Sequence, residues 1–133
     1  MKVLFVCKSN VGRSQIAEAF FNTLSKKHAS ESAGTHVGQD EGTPVHEFVV
    51  GCMADAGIDV SKNKRKPLTP RMAEEADKII VMTEKENLPP FAKGSSKLEF
   101  WDVPDAKGTS YEFHVKIRDR IKRLVQTLIK ELG

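Results

Sequence analysis

The hydrophobic period of the chain changes within its first 24 residues, and this change constrains the fold more than any other feature. Lys2-Val-Leu-Phe-Val6 is a short, apolar, β-prone run of the kind found in buried parallel strands, and a turn-rich stretch follows from Ser9 to Gly12. From Arg13 onward, Ile16, Ala17, Phe20, Phe21 and Leu24 recur at spacings of three and four. That is the stripe of an amphipathic helix, and it fades at Lys26, Lys27 and His28.

The alternation continues. Residues 30–35 carry a strand pattern ahead of a Gly-rich loop around Gly38 and Gly42. Val45, Phe48, Val49, Cys52, Met53 and Ala56 then repeat helically, with Pro44 suited to the first turn and Gly57 to the stop. Thr69-Pro70 opens a short helix through Ala76, Lys78–Met82 reads as a buried strand, and Leu98, Phe100 and Trp101 suggest a fourth. A loop from Asp102 to Ser110 leads into a last helix marked by Ile117, Ile121, Leu124, Val125, Leu128 and Leu132. The expected fold is therefore a single α/β domain over residues 1–133: three layers, with a central four-stranded parallel sheet and helices on both faces. A ligand site is expected outside the carboxyl ends of the strands.

A chain of 133 residues that is 39% hydrophobic can build one core without disulfide or metal support. With 21 Lys and Arg against 18 Asp and Glu, the net charge of +3 is too small to imply a nucleic-acid or membrane partner. Cys7 and Cys52 are the only cysteines and form no Cys-x-x-Cys pair, which fits a reducing, cytoplasmic setting. The apolar run after Met1 is about five residues, short of the roughly 7–15 of a signal-peptide core.

Cys7-Lys-Ser-Asn-Val-Gly-Arg-Ser14 joins the first strand to the first helix. A loop curling into a helix N-terminus turns backbone N–H groups toward one point, so Lys8, Ser9, Asn10, Val11, Gly12 and Arg13 are candidates to bind phosphate. The same environment favours thiolate over thiol at Cys7, the candidate nucleophile. The planar fork of Arg13 can hold two phosphate oxygens, and Gly12 admits a tight turn. Ser14 is placed to hydrogen-bond the Cys7 thiolate, and Asn10 to tie the loop together. This is not a Walker A loop, and the site calls for neither metal nor organic cofactor. Cys52, on a helical stripe, reads as structural. His28, His36, His46 and His114 lack metal-ligand spacing and read as surface or packing residues, with His36 alone a pocket candidate. The basic run Lys62–Lys66 reads as a solvated loop without a role.

Cys-x5-Arg-Ser after the first strand, continuing Gln15-Ile-Ala-Glu18, resembles the low-molecular-weight protein tyrosine phosphatase and arsenate reductase superfamily. Ser32-Ala-Gly-Thr35, Ala56-Gly-Ile-Asp59, Ala76-Asp77 and Trp101-Asp-Val-Pro-Asp105 follow in that family's order. The resemblance implies a flavodoxin-like fold of the phosphatase I type. It also implies a phosphocysteine mechanism on phosphate monoesters such as phosphotyrosine in proteins, with Asp105 as general acid and Asp102 as the fallback.

The chain departs from the family pattern where Asp105 precedes Ala106, Lys107 and Gly108 instead of Pro and two pocket tyrosines. His36, Val37 and Tyr111 are the candidates to replace that wall. Gln15 and Trp101 look more like the arsenate reductase branch, yet Met82–Pro89 lacks the extra cysteines of its thioredoxin-coupled members. Arsenate reduction resolved by an external thiol is thus the second expectation. A non-catalytic phosphate-binding or redox-sensing module is the third.

Overall fold

The computed structural model describes residues 1–133. Four strands form one sheet: β1 (Lys2–Cys7), β2 (Ala29–Gly34), β3 (Lys78–Val81) and β4 (Leu98–Phe100). Their spatial order is β2-β1-β3-β4, and every pairing is parallel. Cys7 lies opposite Gly34, and Val6 lies opposite both Ala33 and Val81. The chain order reverses at β1, so the carboxyl end of that strand is the switch point where α/β sheets open a crevice.

The period-2 geometry of β1 divides its apolar run between two cores. Val3, Phe5 and Cys7 join a cluster of 21 buried residues with α1 (Arg13–Leu24), α2 (Glu47–Asp55) and α5 (Tyr111–Leu132). Leu4 and Val6 turn to the other face and meet Ile79, Val81 and Leu88 in a cluster of 8, with Ala73 of α3 (Pro70–Glu75). Burying a Val, Leu, Ile or Phe side chain contributes roughly 1.5–3 kcal/mol, so the larger α1/α2/α5 face carries most of the hydrophobic stabilisation. A short α4 (Pro90–Lys93), with no periodic signal in the sequence, completes the helices.

Helix ends follow the sequence where a side chain caps them. Thr69 Oγ1 accepts from Met72 N at 3.3 Å with Pro70 in the first turn, and Ser110 Oγ accepts from Phe113 N at 3.2 Å. The start of α2 departs from expectation. Pro44 pairs in an isolated bridge with Lys64 instead of opening the helix, which begins at Glu47 with His46 Nδ1 accepting from Phe48 N at 3.0 Å. Gly57 does end that segment, at φ +83°.

Candidate active site

The loop between β1 and α1 is held from below by its neighbour strand. Thr35 N donates to Cys7 O at 3.0 Å and His36 N to Lys8 O at 2.8 Å. The contact is so close that a Cβ on Gly34 would lie 2.8 Å from Lys8 O and 2.9 Å from Asn10 N. Only glycine fits there. The tight turn expected at Gly12 has its left-handed residue at Asn10, at φ +53°; Gly12 has φ −144° and forms the N-cap of α1.

Asn10 is fully buried and ties four segments together. Its Oδ1 accepts from Lys66 N at 2.8 Å and from Gln15 Nε2 at 2.9 Å, which fixes the orientation of the amide. Its Nδ2 therefore donates to Ser14 Oγ at 2.7 Å and Ser32 Oγ at 3.0 Å. Ser14 Oγ lies 2.9 Å from Cys7 Sγ. With Asn10 donating to the Ser14 oxygen, the hydroxyl proton is free to point at sulfur, so Ser14 can donate to a thiolate. Ser32 in turn donates to Glu18 Oε1 at 2.6 Å, and Lys66 Nζ neutralises Glu18 at 3.2 Å. The network ends satisfied, as a buried polar chain must.

From Lys8 to Gln15, no backbone N–H donates to any acceptor in the protein. Eight consecutive donors without a protein acceptor, at a strand end and a helix start, are the arrangement from which anion cradles are built. Positive potential also reaches Glu84. Its carboxyl is held below the usual range first by a hydrogen bond to its own backbone and by Thr83, with the charges of Arg13 and Lys8 adding to the effect.

One cavity collects Cys7, Ser9, Val11, Gly12 and Arg13, while Lys8 and Asn10 lie outside its lining. Arg13 Nη1 donates to Met82 O and, at 3.0 Å, to Val103 O, while Nη2 lies 3.8 Å from Asp105 Oδ2. These bonds fix the guanidinium plane and leave donors for a ligand. Asp105 lines the cavity mouth and is half exposed, with its Oδ1 accepting from Lys107 N at 3.0 Å. Asp102 does not line the cavity; its carbonyl accepts from Arg120. Of the two carboxylates proposed from the sequence, only Asp105 lines the cavity that holds Cys7.

The mouth differs from expectation. His36, Val37 and Tyr111 are absent from it; Tyr111 turns its hydroxyl to Asp55 at 2.7 Å. His46 and His114, read from the sequence as surface or packing residues, line it as a stacked pair with centroids 5.3 Å apart. Arg65, from the basic run assigned no role, also lines it. Its Nε donates to Ser9 O at 3.1 Å and its Nη1 faces Asp40 at 3.4 Å. Cys52 is sealed in the core, where burial pushes its thiol pKa up. No cluster of His, Cys, Asp and Glu has the arrangement of a metal site, and no helix is long and apolar enough to cross a membrane.

Comparison with known proteins agrees with this framework. A glutaredoxin arsenate reductase of Synechocystis sp. is 35% identical, over 99% of this chain and 98% of its own. The low molecular weight protein-tyrosine-phosphatase Ptp of Acinetobacter johnsonii is 30% identical, over 97% and 93%. The structure of Vibrio vulnificus Wzb in complex with benzylphosphonate superposes with a TM-score of 0.89 at 26% identity, covering 98% of this chain and 97% of that one. The relatives are enzymes of two kinds, phosphatases and arsenate reductases. Residues 2–133 match the model of the low molecular weight phosphotyrosine protein phosphatase family, and the chain belongs to it.

Proposed function

We propose that this protein is a cysteine-dependent phosphatase acting on phosphate monoesters, with phosphotyrosine in polypeptides as the substrate class. The supporting observation is the run of eight free backbone N–H groups that begins beside Cys7 and ends beside Ser14 and Gln15, with Arg13 among them. A phosphate dianion satisfies several of these donors together, and they strengthen as charge builds on the equatorial oxygens in the transition state.

Cys7 Sγ, as thiolate, attacks phosphorus while the ester P–O bond breaks, and Asp105 gives its proton to the leaving oxygen. Water then attacks the phosphocysteine, Asp105 takes a proton from it, and the S–P bond breaks to return the thiolate. Ser14, oriented by Asn10, stabilises that thiolate as it leaves. General acid–base assistance of this kind contributes about 10²–10⁴-fold, which sets the expected loss in an Asp105→Ala variant. An aryl leaving group has Val11, Val49 and Ile117 to pack on, and the His46–His114 stack lines the same cavity. The benzylphosphonate complex of the Vibrio protein supports an aryl phosphate ligand for this fold.

A second reading, arsenate reduction, draws support from the 35% identity to the Synechocystis enzyme. The Cys7 thiolate would form an S–As bond as one As–O bond breaks and its oxygen leaves as water, and an external thiolate would then attack the Cys7 sulfur. Arsenite would leave, with Cys7 and the thiol joined as a mixed disulfide. The thiol must be external because the remaining cysteine, Cys52, is sealed in the core. The two readings separate when the protein is offered 4-nitrophenyl phosphate and a phosphotyrosine peptide, and separately arsenate with glutathione and glutaredoxin. Turnover of arsenate alone would overturn the phosphatase assignment. Cys7→Ser should abolish either activity.

A further inference from the structure

Beside the catalytic cavity, the outer face of α5 carries Lys116, Arg120 and Arg123 at helical spacings of four and three, all exposed. They line a shallow groove floored by Pro104 and Phe113. Ile117 lines both this groove and the Cys7 cavity, and Pro104 directly precedes Asp105, so the groove opens onto the mouth. Lys107, also exposed, stands at that mouth.

The charge of this groove is not neutralised within the chain. None of the eight ion pairs involves Lys107, Lys116, Arg120 or Arg123. The one acidic side chain in the groove, Asp119, is spent on Arg118, whose Nη2 lies 2.9 Å away. Arg120 donates to Asp102 O, a neutral acceptor that leaves its charge unpaired; of the other basic residues in the helix's middle turns, Arg118 donates to Cys52 O and Lys122 lies over the Phe20 ring. By contrast, Arg13 and Arg65 inside the cavity each face a carboxylate.

We propose that this groove docks acidic residues flanking the phosphorylated side chain of a polypeptide substrate. The proposal rests on the phosphatase reading and deepens it. Charge complementarity selects the occupant. An extended peptide spans about 3.3 Å per residue, so residues a few positions from the phosphate reach the α5 face while the phosphate sits over Cys7. Phe113 and Pro104 supply apolar contact beneath the chain. Solvent-exposed charges of this kind act mainly through encounter rate and register, and salt weakens them.

The test compares two phosphotyrosine peptides, one with glutamates and one with lysines on both sides of the phosphorylated residue. Wild type is set against Lys116→Glu/Arg123→Glu, a pair outside the Cys7 cavity, with 4-nitrophenyl phosphate as the unflanked control. Lys26→Glu/Lys27→Glu, just past the C-terminus of α1, makes the same change in net charge away from the groove. We expect the groove variant to lose about tenfold in kcat/KM on the acidic peptide, mostly through KM, with the control substrate unchanged. The loss should shrink at high salt.

Binding of the same peptides, fluorescently labelled, to Cys7→Ser gives a readout that needs no turnover. Charge-dependent binding with no hydrolysis of any ester would refute the phosphatase reading and uphold the groove. Equal handling of both peptides by wild type, or an equal loss in the α1 control variant, overturns the groove.

Discussion

Replacing Asn10 separates two effects that the native loop combines. Truncation to Ala removes all four amide hydrogen bonds, but most of the partners retain another. Ser14 still faces Cys7 Sγ, Ser32 still donates to Glu18, and Gln15 Nε2 still reaches Lys64 O at 3.1 Å. Lys66 N is the donor left without an acceptor, and a stranded, partly buried donor costs about 1–3 kcal/mol. Alanine must also hold φ +53°, which costs roughly 1–2 kcal/mol, a penalty glycine escapes. Asn10→Ala should therefore lose about 3 kcal/mol and Asn10→Gly about 2, read by urea denaturation. Folding survives both, since domains of this size hold about 5–15 kcal/mol. Both should lose kcat on 4-nitrophenyl phosphate by about tenfold or more, because Ser14 is no longer told where to point its proton. If Asn10→Gly proves no more stable than Asn10→Ala, the left-handed strain is refuted. If kcat survives in both, Asn10 does not orient Ser14.

Gly34→Ala forces backbone apart at contacts of 2.8 and 2.9 Å, so the phosphate loop must shift. Overpacking of this kind costs roughly 1–3 kcal/mol, and kcat should fall at least tenfold. Gly51→Ala, whose Cβ meets only the Tyr111 ring at 3.3 Å, should leave kcat intact, and an equal loss in both would defeat the close-approach argument. Tyr111, the single tyrosine, has its pKa pushed up to about 12, chiefly by the hydrogen bond to Asp55. The folded state thus favours the neutral phenol, and its contribution to stability is full below pH 10 and fades as pH rises toward 12. Ultraviolet titration should place the midpoint there and move it back toward 10 in Asp55→Ala; an unmoved midpoint refutes the assignment. Iodoacetate should alkylate Cys7 alone in the native protein, with inorganic phosphate protecting it, and Cys52 only after denaturation. Mass spectrometry showing native labelling of Cys52 would contradict its sealed position.

The two central strands and the Cys7–Ser14 loop were legible in the sequence because the signal of each is local. Lys2–Cys7 and Lys78–Val81 are continuous apolar runs, and Cys7 to Ser14 needs only a strand end and a helix start to become a site. The mouth is not local. Asp40, His46, Arg65, Lys107 and His114 reach it from five separate segments, and no periodicity relates them. His46 and His114 come together because α2 packs on α5, and His46 is held at the start of that helix by its N–H to Val11 O at 3.1 Å while Pro44 pairs with Lys64. Pro44 shows why such a position misleads: its fixed φ suits a first helical turn and an extended bridge equally, and tertiary pairing chooses. The same division holds for function. Under the proposed function, oxyanion capture rests on one segment whose backbone donors do not depend on side-chain identity, whereas the leaving group, or a resolving thiol, is read by residues that can change one at a time. A family holding both tyrosine phosphatases and arsenate reductases is the expected result of that division, and in this chain the basic α5 groove beside Asp105 is where the choice of partner is exposed to test.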